Sequence, residues 1–331
     1  MKITITDCDQ GFIDPERNVI KKAGFDLDVH QVITPDEVIS VAKNSDAIIC
    51  QYAQINGDVF ENLPNIKVVG RYGVGLDNID LSYATKKGVK ITHVPYFCFQ
   101  EVANHTMGLI LNLSRNIGNI NHIIREKSKK SQISYGDMLK HMDNVERPTE
   151  QTIGIIGIGK IGSQVAKRAK VFGYKILVYD PYVPSEIISA CDAEKVDLKT
   201  LLKKSDYISI HCPLNNETKN MISDKELSLM KKSAYIINTA RGGIIDEKAL
   251  IKSLKQKNIK GAALDVVSKE PIRKDHEFLD MDNVILTPHV GFYSKTSLIE
   301  LKTKVAEYTV NALIEKGEYP LANPDIINGK K

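Results

Sequence analysis

No run of about eighteen apolar residues occurs in this chain, which excludes a membrane-spanning helix on sequence grounds. The N-terminal residues 1–6 alternate like a strand and lack the long apolar core of a secretion signal. Cysteine is sparse and scattered: Cys8, Cys50, Cys98, Cys191 and Cys212 form no CxxC pair and have no zinc-ligand spacing with a histidine. They read as reduced thiols in a cytoplasmic protein. Excess charge of either sign is small, with 45 basic against 41 acidic residues, so composition makes no case for nucleic acid. His93, His105 and His211 lie on separate predicted elements, and structural roles are expected rather than a metal site. No solenoid repeat and no P-loop are present.

What is present is an ordinary globular composition, 42% hydrophobic and 26% charged, over 331 residues, a length natural for two domains. Short apolar runs at 2–6, 27–30, 47–51, 67–72 and 90–93 read as strands, with helices at 15–23 and 35–44. Such alternation predicts parallel βα units with both sheet faces covered. A largely apolar helix is predicted over 101–116 and reads as a spine joining two domains. Residues 114–150 are polar and include the basic run from Arg125 to Lys130, read as a solvated loop-helix segment. A second series follows, with strands at 153–157, 175–179, 207–211, 234–238, 259–264 and 284–286. The last helix, 297–316, comes after that sheet and is expected to return to the first domain.

Between the first strand of the second series and its helix lies Gly157-Ile158-Gly159-Lys160-Ile161-Gly162. Gly157 permits a tight turn, Gly159 lets a pyrophosphate approach the backbone, and Gly162 lets helix and strand pack closely. The helix start then offers N–H groups to the phosphates. Asp180 ends the next strand, eighteen residues after Gly162. A carboxylate there accepts from both ribose hydroxyls and repels the extra phosphate of NADP, so NAD is the expected cofactor. On this motif alone, a mononucleotide, an S-adenosyl ligand or an empty glycine turn stays open.

Arg241, Glu270 and His289 follow three later strands of the same sheet, where open α/β sheets put their sites. The set suits one reaction. A histidinium donates a proton to a ketone oxygen while hydride reaches its carbon. A carboxylate supports the histidinium, and a guanidinium holds a substrate carboxylate. Each residue alone also reads as a loop or turn residue; together, behind a dinucleotide loop, they point to catalysis. Asp246 and Glu247 read as the start of a helix over 248–256.

The chain resembles the D-isomer-specific 2-hydroxyacid dehydrogenases over nearly its whole length. The matching stretches are Gly70-Arg71-Tyr72-Gly73-Val74-Gly75-Leu76-Asp77-Asn78-Ile79-Asp80, the glycine loop, His211-Cys212-Pro213-Leu214, Asn238-Thr239-Ala240-Arg241-Gly242-Gly243, Ala263-Leu264-Asp265-Val266 and Thr287-Pro288-His289. Within the family it is similar to the branch of the C-terminal binding proteins and their bacterial dehydrogenase relatives, through Val94-Pro95-Tyr96-Phe97-Cys98, Glu101-Val102-Ala103 and Asp180-Pro181-Tyr182.

The resemblance implies an α/β fold of two doubly wound parallel-sheet domains with a cleft between them. A Rossmann-type cofactor domain (100–294) would be inserted into a flavodoxin-like substrate domain (1–99 and 295–331). It implies catalytic roles for Arg241, Glu270 and His289, the last as proton donor. It implies cofactor contacts at Val74, Val102, Gly157, Gly159, Lys160, Ile161, Gly162, Asp180, His211, Cys212, Pro213, Thr218, Thr239, Ala240, Asp265, His289 and Gly291. Substrate contacts would come from Gly73, Val74, Gly75, Arg241 and Phe292; Tyr52 joins them by its place after a first-domain strand, and Arg71 is equally readable as a charge there or as pairing with an acid. Phe292 stands where the C-terminal binding proteins have tryptophan, and the chain has no tryptophan anywhere. The implied activity interconverts a small 2-oxoacid and its D-2-hydroxyacid with NAD, in a cytoplasmic homodimer without a metal, membrane or nucleic-acid partner. Formate and phosphite oxidation stay open within the enzyme class. The alternative outside it is an NAD(H)-gated peptide-binding protein of corepressor type.

Overall fold

Five short strands make the first sheet: β1 (Lys2–Ile5), β2 (Asp26–Val29), β3 (Ala47–Cys50), β4 (Val68–Arg71) and β5 (Lys90–His93). Their order is β2-β1-β3-β4-β5, and every pairing is parallel. All four residues of β3 are buried, as a central strand covered on both faces requires. The coordinates are a computed structural model that describes residues 1–9, 11–128, 134–142 and 145–326. Lys129 and Lys130 of the basic run therefore lie outside the described residues. The chain divides into two compact units, Met1–Phe97 with Ser294–Lys331, and Cys98–Tyr293.

In the first unit the helix Lys295–Ile314 packs on β3, β4 and β5 and against the helix Asp14–Lys22. Gly70 on β4 makes the close approach possible: a Cβ there would fall 2.1 Å from Thr309 Oγ1. Two further helices, Gly57–Asn62 and Leu81–Lys87, are too short to carry a readable helical period. Side-chain caps from Asn56 and Asp80 start them instead.

Among the described residues the second unit holds seven parallel strands: β6 (Thr152–Ile156), β7 (Lys175–Tyr179), β8 (Glu194–Lys195), β9 (Tyr207–Ile210), β10 (Tyr235–Asn238), β11 (Gly261–Leu264) and β12 (Val284–Leu286). Their order is β12-β11-β10-β9-β6-β7-β8. The sequence predicts six of these. The seventh, β8, is two exposed charged residues on the sheet edge, so no apolar run marks it. The apolar helix spans Phe99–Arg115, and its Ala103, Met107 and Ile110 share a core with Val165, Ala166 and Ala169 of the helix Lys160–Val171.

Each sheet reverses its strand order once, between β1 and β3 in the first unit and between β6 and β9 in the second. Open α/β sheets bind ligands beyond the carboxyl ends of the strands at such points. No helix is long and apolar enough to cross a membrane among the described residues.

Candidate active site

The glycine turn leaves β6 at the reversal of the second sheet. Gly157 has φ +90°, a left-handed conformation that glycine alone adopts without strain. A Cβ at Gly157 would lie 2.7 Å from the backbone N of Cys212, in the loop after β9. The two loops flanking the reversal therefore touch backbone to backbone only because residue 157 has no side chain. Gly162 is as tightly held, since its Cβ would meet Gly157 O at 2.1 Å. Gly159 faces open space, with nothing within 4 Å of its Cβ position, and it precedes the helix that begins at Lys160. Lys160 is exposed and Ile161 half-buried. Asp180 follows β7 and accepts the Ile158 N–H at 3.0 Å through Oδ2. Its Oδ1 accepts from Tyr182 N and Val183 N at 3.0 and 3.2 Å. A carboxylate has about four acceptor positions, so the three N–H groups fix Asp180 beside the turn and leave one position for a ribose hydroxyl. An open backbone cradle beside a fixed acid fits a dinucleotide.

The loop after β9 is held by its own side chains. His211 Nε2 lies 2.8 Å from Ser209 Oγ, and burial pushes the imidazole down to about 3, so it is neutral at physiological pH. Burial likewise pushes the Cys212 thiol up to about 11. Thr218 closes the loop, donating to Pro213 O at 2.5 Å and accepting from Asn215 N at 2.9 Å.

Three strand ends carry the remaining residues. After β10, Thr239 Oγ1 meets Thr106 Oγ1 at 2.9 Å. Val102, on the same helix as Thr106, is buried one turn earlier. Ala240 O accepts from Arg241 Nη1 at 2.7 Å. Gly242 then passes so close to the next loop that a Cβ would sit 2.0 Å from the Val267 carbonyl. That contact seats the Arg241 turn on the loop that leads to Glu270. Glu270 Oε2 lies 2.6 Å from His289 Nδ1, and its Oε1 accepts from Val267 N at 3.2 Å. Phe292 stands edge-on to His289, ring centres 6.4 Å apart.

His289 has φ +53°, unusual for a side chain of its size. Asp265, 3% exposed, imposes it. The Asp265 carbonyl accepts from His289 N at 2.8 Å. Its carboxylate accepts from Thr287 Oγ1 at 2.6 Å, Val290 N at 3.0 Å and Gly291 N at 2.9 Å. His105 Nε2 reaches the same group, 3.0 Å from Thr287 Oγ1 and 3.4 Å from Asp265 Oδ1. Burial alone would raise the Asp265 carboxyl. The hydrogen bonds from His105, Thr287, Gly291 and Val290 outweigh it and hold the group below the usual carboxylate value.

The other expected residues belong to the first unit. Tyr52 is exposed at the end of β3, and its N–H points to Asp7. Asp7 is fully buried past β1 and also accepts from Gln51 N at 3.0 Å and Ala53 N at 3.2 Å. Arg71 donates to Tyr72 O, and its guanidinium fills the space a Cβ on Gly73 would need. Val74 is exposed, and its carbonyl lies 3.3 Å from His93 Nδ1. Gly75 is half-buried.

Sequence reasoning missed Asp7 and Thr106, and it read His105 as structural without its partners Thr287 and Asp265. Asp7 lies two residues past β1, but its backbone partners are 44 to 46 residues away, so no local pattern marks it. Glu247, expected only to start a helix, also holds Ser268 N at 2.9 Å and His276 Nε2 at 3.1 Å.

Two parallel-sheet units, one with a glycine turn and a fixed acid at its strand reversal, define a dinucleotide-binding α/β protein. Residues 107–291 match the family model described as "D-isomer specific 2-hydroxyacid dehydrogenase, NAD binding domain". A glyoxylate reductase of Thermofilum pendens is 39% identical over 302 residues, covering 88% of this chain and 85% of that protein. A D-3-phosphoglycerate dehydrogenase of Methanocaldococcus jannaschii is 38% identical over 314 residues. That match covers 93% of this chain and 56% of the relative, so the chain spans about half of that protein's length. The solved D-lactate dehydrogenase of Aquifex aeolicus, complexed with NAD and lactic acid, superposes with a TM-score of 0.83. It is 30% identical, and the match covers 99% of this chain and 98% of that one. The chain belongs to the D-isomer specific 2-hydroxyacid dehydrogenase family, and its cofactor is NAD.

Proposed function

We propose that this chain reduces a small 2-oxoacid to its D-2-hydroxyacid, and runs the reverse oxidation, with NAD. The observation that carries the proposal is the 2.6 Å Glu270–His289 pair, set on the same sheet as the glycine turn and beside the turn of Arg241. Bound NADH supplies the hydride to the ketone carbon. His289 has Nδ1 committed to Glu270, so the proton that moves is the one on Nε2. In reduction that proton goes to the developing alkoxide, and in oxidation the same nitrogen takes it back. Glu270 stabilises the imidazolium and fixes the ring. Arg241 holds the substrate carboxylate and polarises the ketone, a task for which a planar guanidinium is suited.

We assign substrate recognition to the first unit, through Tyr52, Arg71 and the backbone of Gly73, Val74 and Gly75, with Phe292 added from the second. The named relatives support the substrate class: a glyoxylate reductase and a D-lactate dehydrogenase both act on small acids of this kind. Nothing favours the peptide-binding alternative. We assign a homodimer formed through the second unit, with exposed Ile117, Val171 and Phe172 as apolar surface to cover; light scattering reads this directly.

The test is a panel of 2-oxoacids with NADH. One member or more should be reduced, to the D product. Arg241→Ala and His289→Ala should each reduce kcat/KM by about a thousandfold. Turnover that survives both changes overturns the assignment. Glu270→Gln should move the pH profile of reduction to lower pH, because protonated His289 loses its carboxylate. An unmoved profile removes Glu270 from the mechanism.

A further inference from the structure

A buried cluster in the first unit takes no part in the reaction above. Cys8, three residues past β1, has its Sγ 3.0 Å from Nζ of Lys302 on the helix Lys295–Ile314. Lys302 is fully buried and also donates to Phe12 O at 2.6 Å and Glu16 Oε1 at 3.2 Å. Its ammonium lies 4.9 Å from the ring centre of Phe12 and 5.6 Å from that of Tyr72. Glu16 is equally buried, and its Oε1 accepts the Tyr72 hydroxyl at 2.7 Å. Among the described residues, Glu16 Oε2 has no hydrogen-bond partner. Cys8 is half-buried, unlike the enclosed Lys302 and Glu16.

A purely structural Lys–Glu tether explains the ammonium, the Phe12 carbonyl and the two rings. It does not explain a thiol as the third acceptor of that ammonium. Nor does it explain a buried carboxylate oxygen left unsatisfied, which costs about 1–3 kcal/mol. Both follow if sulfur and nitrogen react with each other and the carboxylate takes a proton.

We propose that Cys8 and Lys302 are an oxidation-dependent modification site, at which hydrogen peroxide joins them through a sulfur–nitrogen bond. The Cys8 sulfur attacks one peroxide oxygen, the O–O bond breaks and water leaves, giving a sulfenic acid. Lys302 passes a proton to the Glu16 carboxylate, whose Oε1 it meets at 3.2 Å, and the freed nitrogen lone pair attacks the sulfur. The S–N bond forms as the S–O bond breaks, and the departing hydroxide takes the second amine proton as water. One thiol, one amine and one peroxide thus give one sulfenamide and two waters. Sulfur is oxidised by two electrons, and the peroxide is reduced by the same two. The bridge ties the first strand of the unit to its last helix, and a thiol reverses it by attack on sulfur.

Purified full-length protein treated with stoichiometric hydrogen peroxide, alkylated and digested, tests this by mass spectrometry. The peptides carrying residues 8 and 302 should appear joined, lighter than their sum by two hydrogens, and should separate again with dithiothreitol. Cys8→Ser and Lys302→Arg should each abolish the joined pair. Lys302 is buried and its variant can fail to fold, so Cys8→Ser carries the test by itself. Glu16→Gln should slow bridge formation by about tenfold; an unchanged rate removes Glu16 from the proposal. Cys8 oxidised only to sulfenic, sulfinic or sulfonic acid, with Lys302 unmodified, overturns the bridge. So does Cys8 left untouched at a dose that oxidises Cys191. This outcome is independent of whether the chain reduces any 2-oxoacid.

Discussion

The two sheets reverse strand order in the same way and furnish the reversal differently. In the second unit the loop is made by absence: Gly157 and Gly162 remove side chains so that backbones can touch. In the first unit it is made by addition: the buried Asp7 carboxylate gathers the N–H groups of Gln51, Tyr52 and Ala53. The second unit uses the carboxylate device too, but elsewhere, where Asp265 holds the turn of His289. A glycine turn leaves an open backbone surface, suited to a phosphate that every substrate turnover shares. A carboxylate hub fixes the backbone turn that carries one particular residue, Tyr52 in one unit and His289 in the other. The division is between a loop that binds anything with the right phosphates and loops that aim a single group.

Among changes to these loops, the largest expected effect breaks the first kind. Gly157→Ala puts a Cβ within 2.7 Å of backbone on the facing loop, at φ +90°. The conformation alone costs about 1–3 kcal/mol, and the facing atom is main chain that cannot swing aside. NAD affinity should fall by about a hundredfold or more, read by fluorescence titration with NADH. Gly73→Ala is the matched change in the first unit, at φ +116°. There the obstructing atom is the tip of Arg71, which can rotate away. NAD affinity should hold within about threefold, since the strain falls outside the glycine turn. Equal losses of NAD affinity in both variants would erase the distinction.

That contrast also accounts for what the sequence reveals. The glycine loop and Asp180 are legible because their requirement is local: a strand, three glycines at fixed spacing and an acid at the next strand end. The strands of both sheets are legible for the same reason, as short apolar runs. Arg241, Glu270 and His289 are legible as residue types at strand ends, and the Glu270–His289 contact is a 2.6 Å bond in the structure. Asp7 and His105 are not legible. Asp7 acts 44 residues away on Gln51, and His105 acts 182 residues away on Thr287. Neither spacing leaves any local pattern. The edge strand β8 and the helices Gly57–Asn62 and Leu81–Lys87 are invisible because pairing and caps, not apolar periodicity, make them.

The next effect compares the two hubs. Asp265→Asn loses charge from hydrogen bonds that set the His289 turn, each worth about 1.5–3 kcal/mol to a charged acceptor. It should lower kcat by tenfold to a hundredfold, that range being about the loss of one such bond. Asp7→Asn loosens only the turn of Tyr52. It should raise KM for the oxoacid about tenfold while kcat holds, the signature of lost uniform binding. His105→Gln, which touches Asp265 from the side, should lower kcat by less than Asp265→Asn does. If Asp7→Asn depresses kcat as strongly as Asp265→Asn, the hubs do not divide recognition from chemistry.

The smallest effect is on stability and separates burial from catalysis. His211 is pushed from its ordinary 6.5 to about 3 by burial alone. Between those two values the unfolded chain carries a proton at this residue that the folded chain refuses. Stability must therefore fall as pH drops below about 6.5, with a limiting slope of about 1.4 kcal/mol per pH unit. From pH 6.5 to 5 the loss from this one residue comes to about 1.5 kcal/mol. His211→Gln keeps a hydrogen-bonding group near Ser209 and removes the titration. The variant should be less stable than the wild type, or equal to it, at pH 6.5. It should gain on the wild type by about 1.5 kcal/mol at pH 5, measured as the difference in urea unfolding free energy. Every other group is common to the two proteins and cancels in that difference. A gap that stays constant between the two pH values would mean that burial does not hold the His211 imidazole neutral in the folded chain.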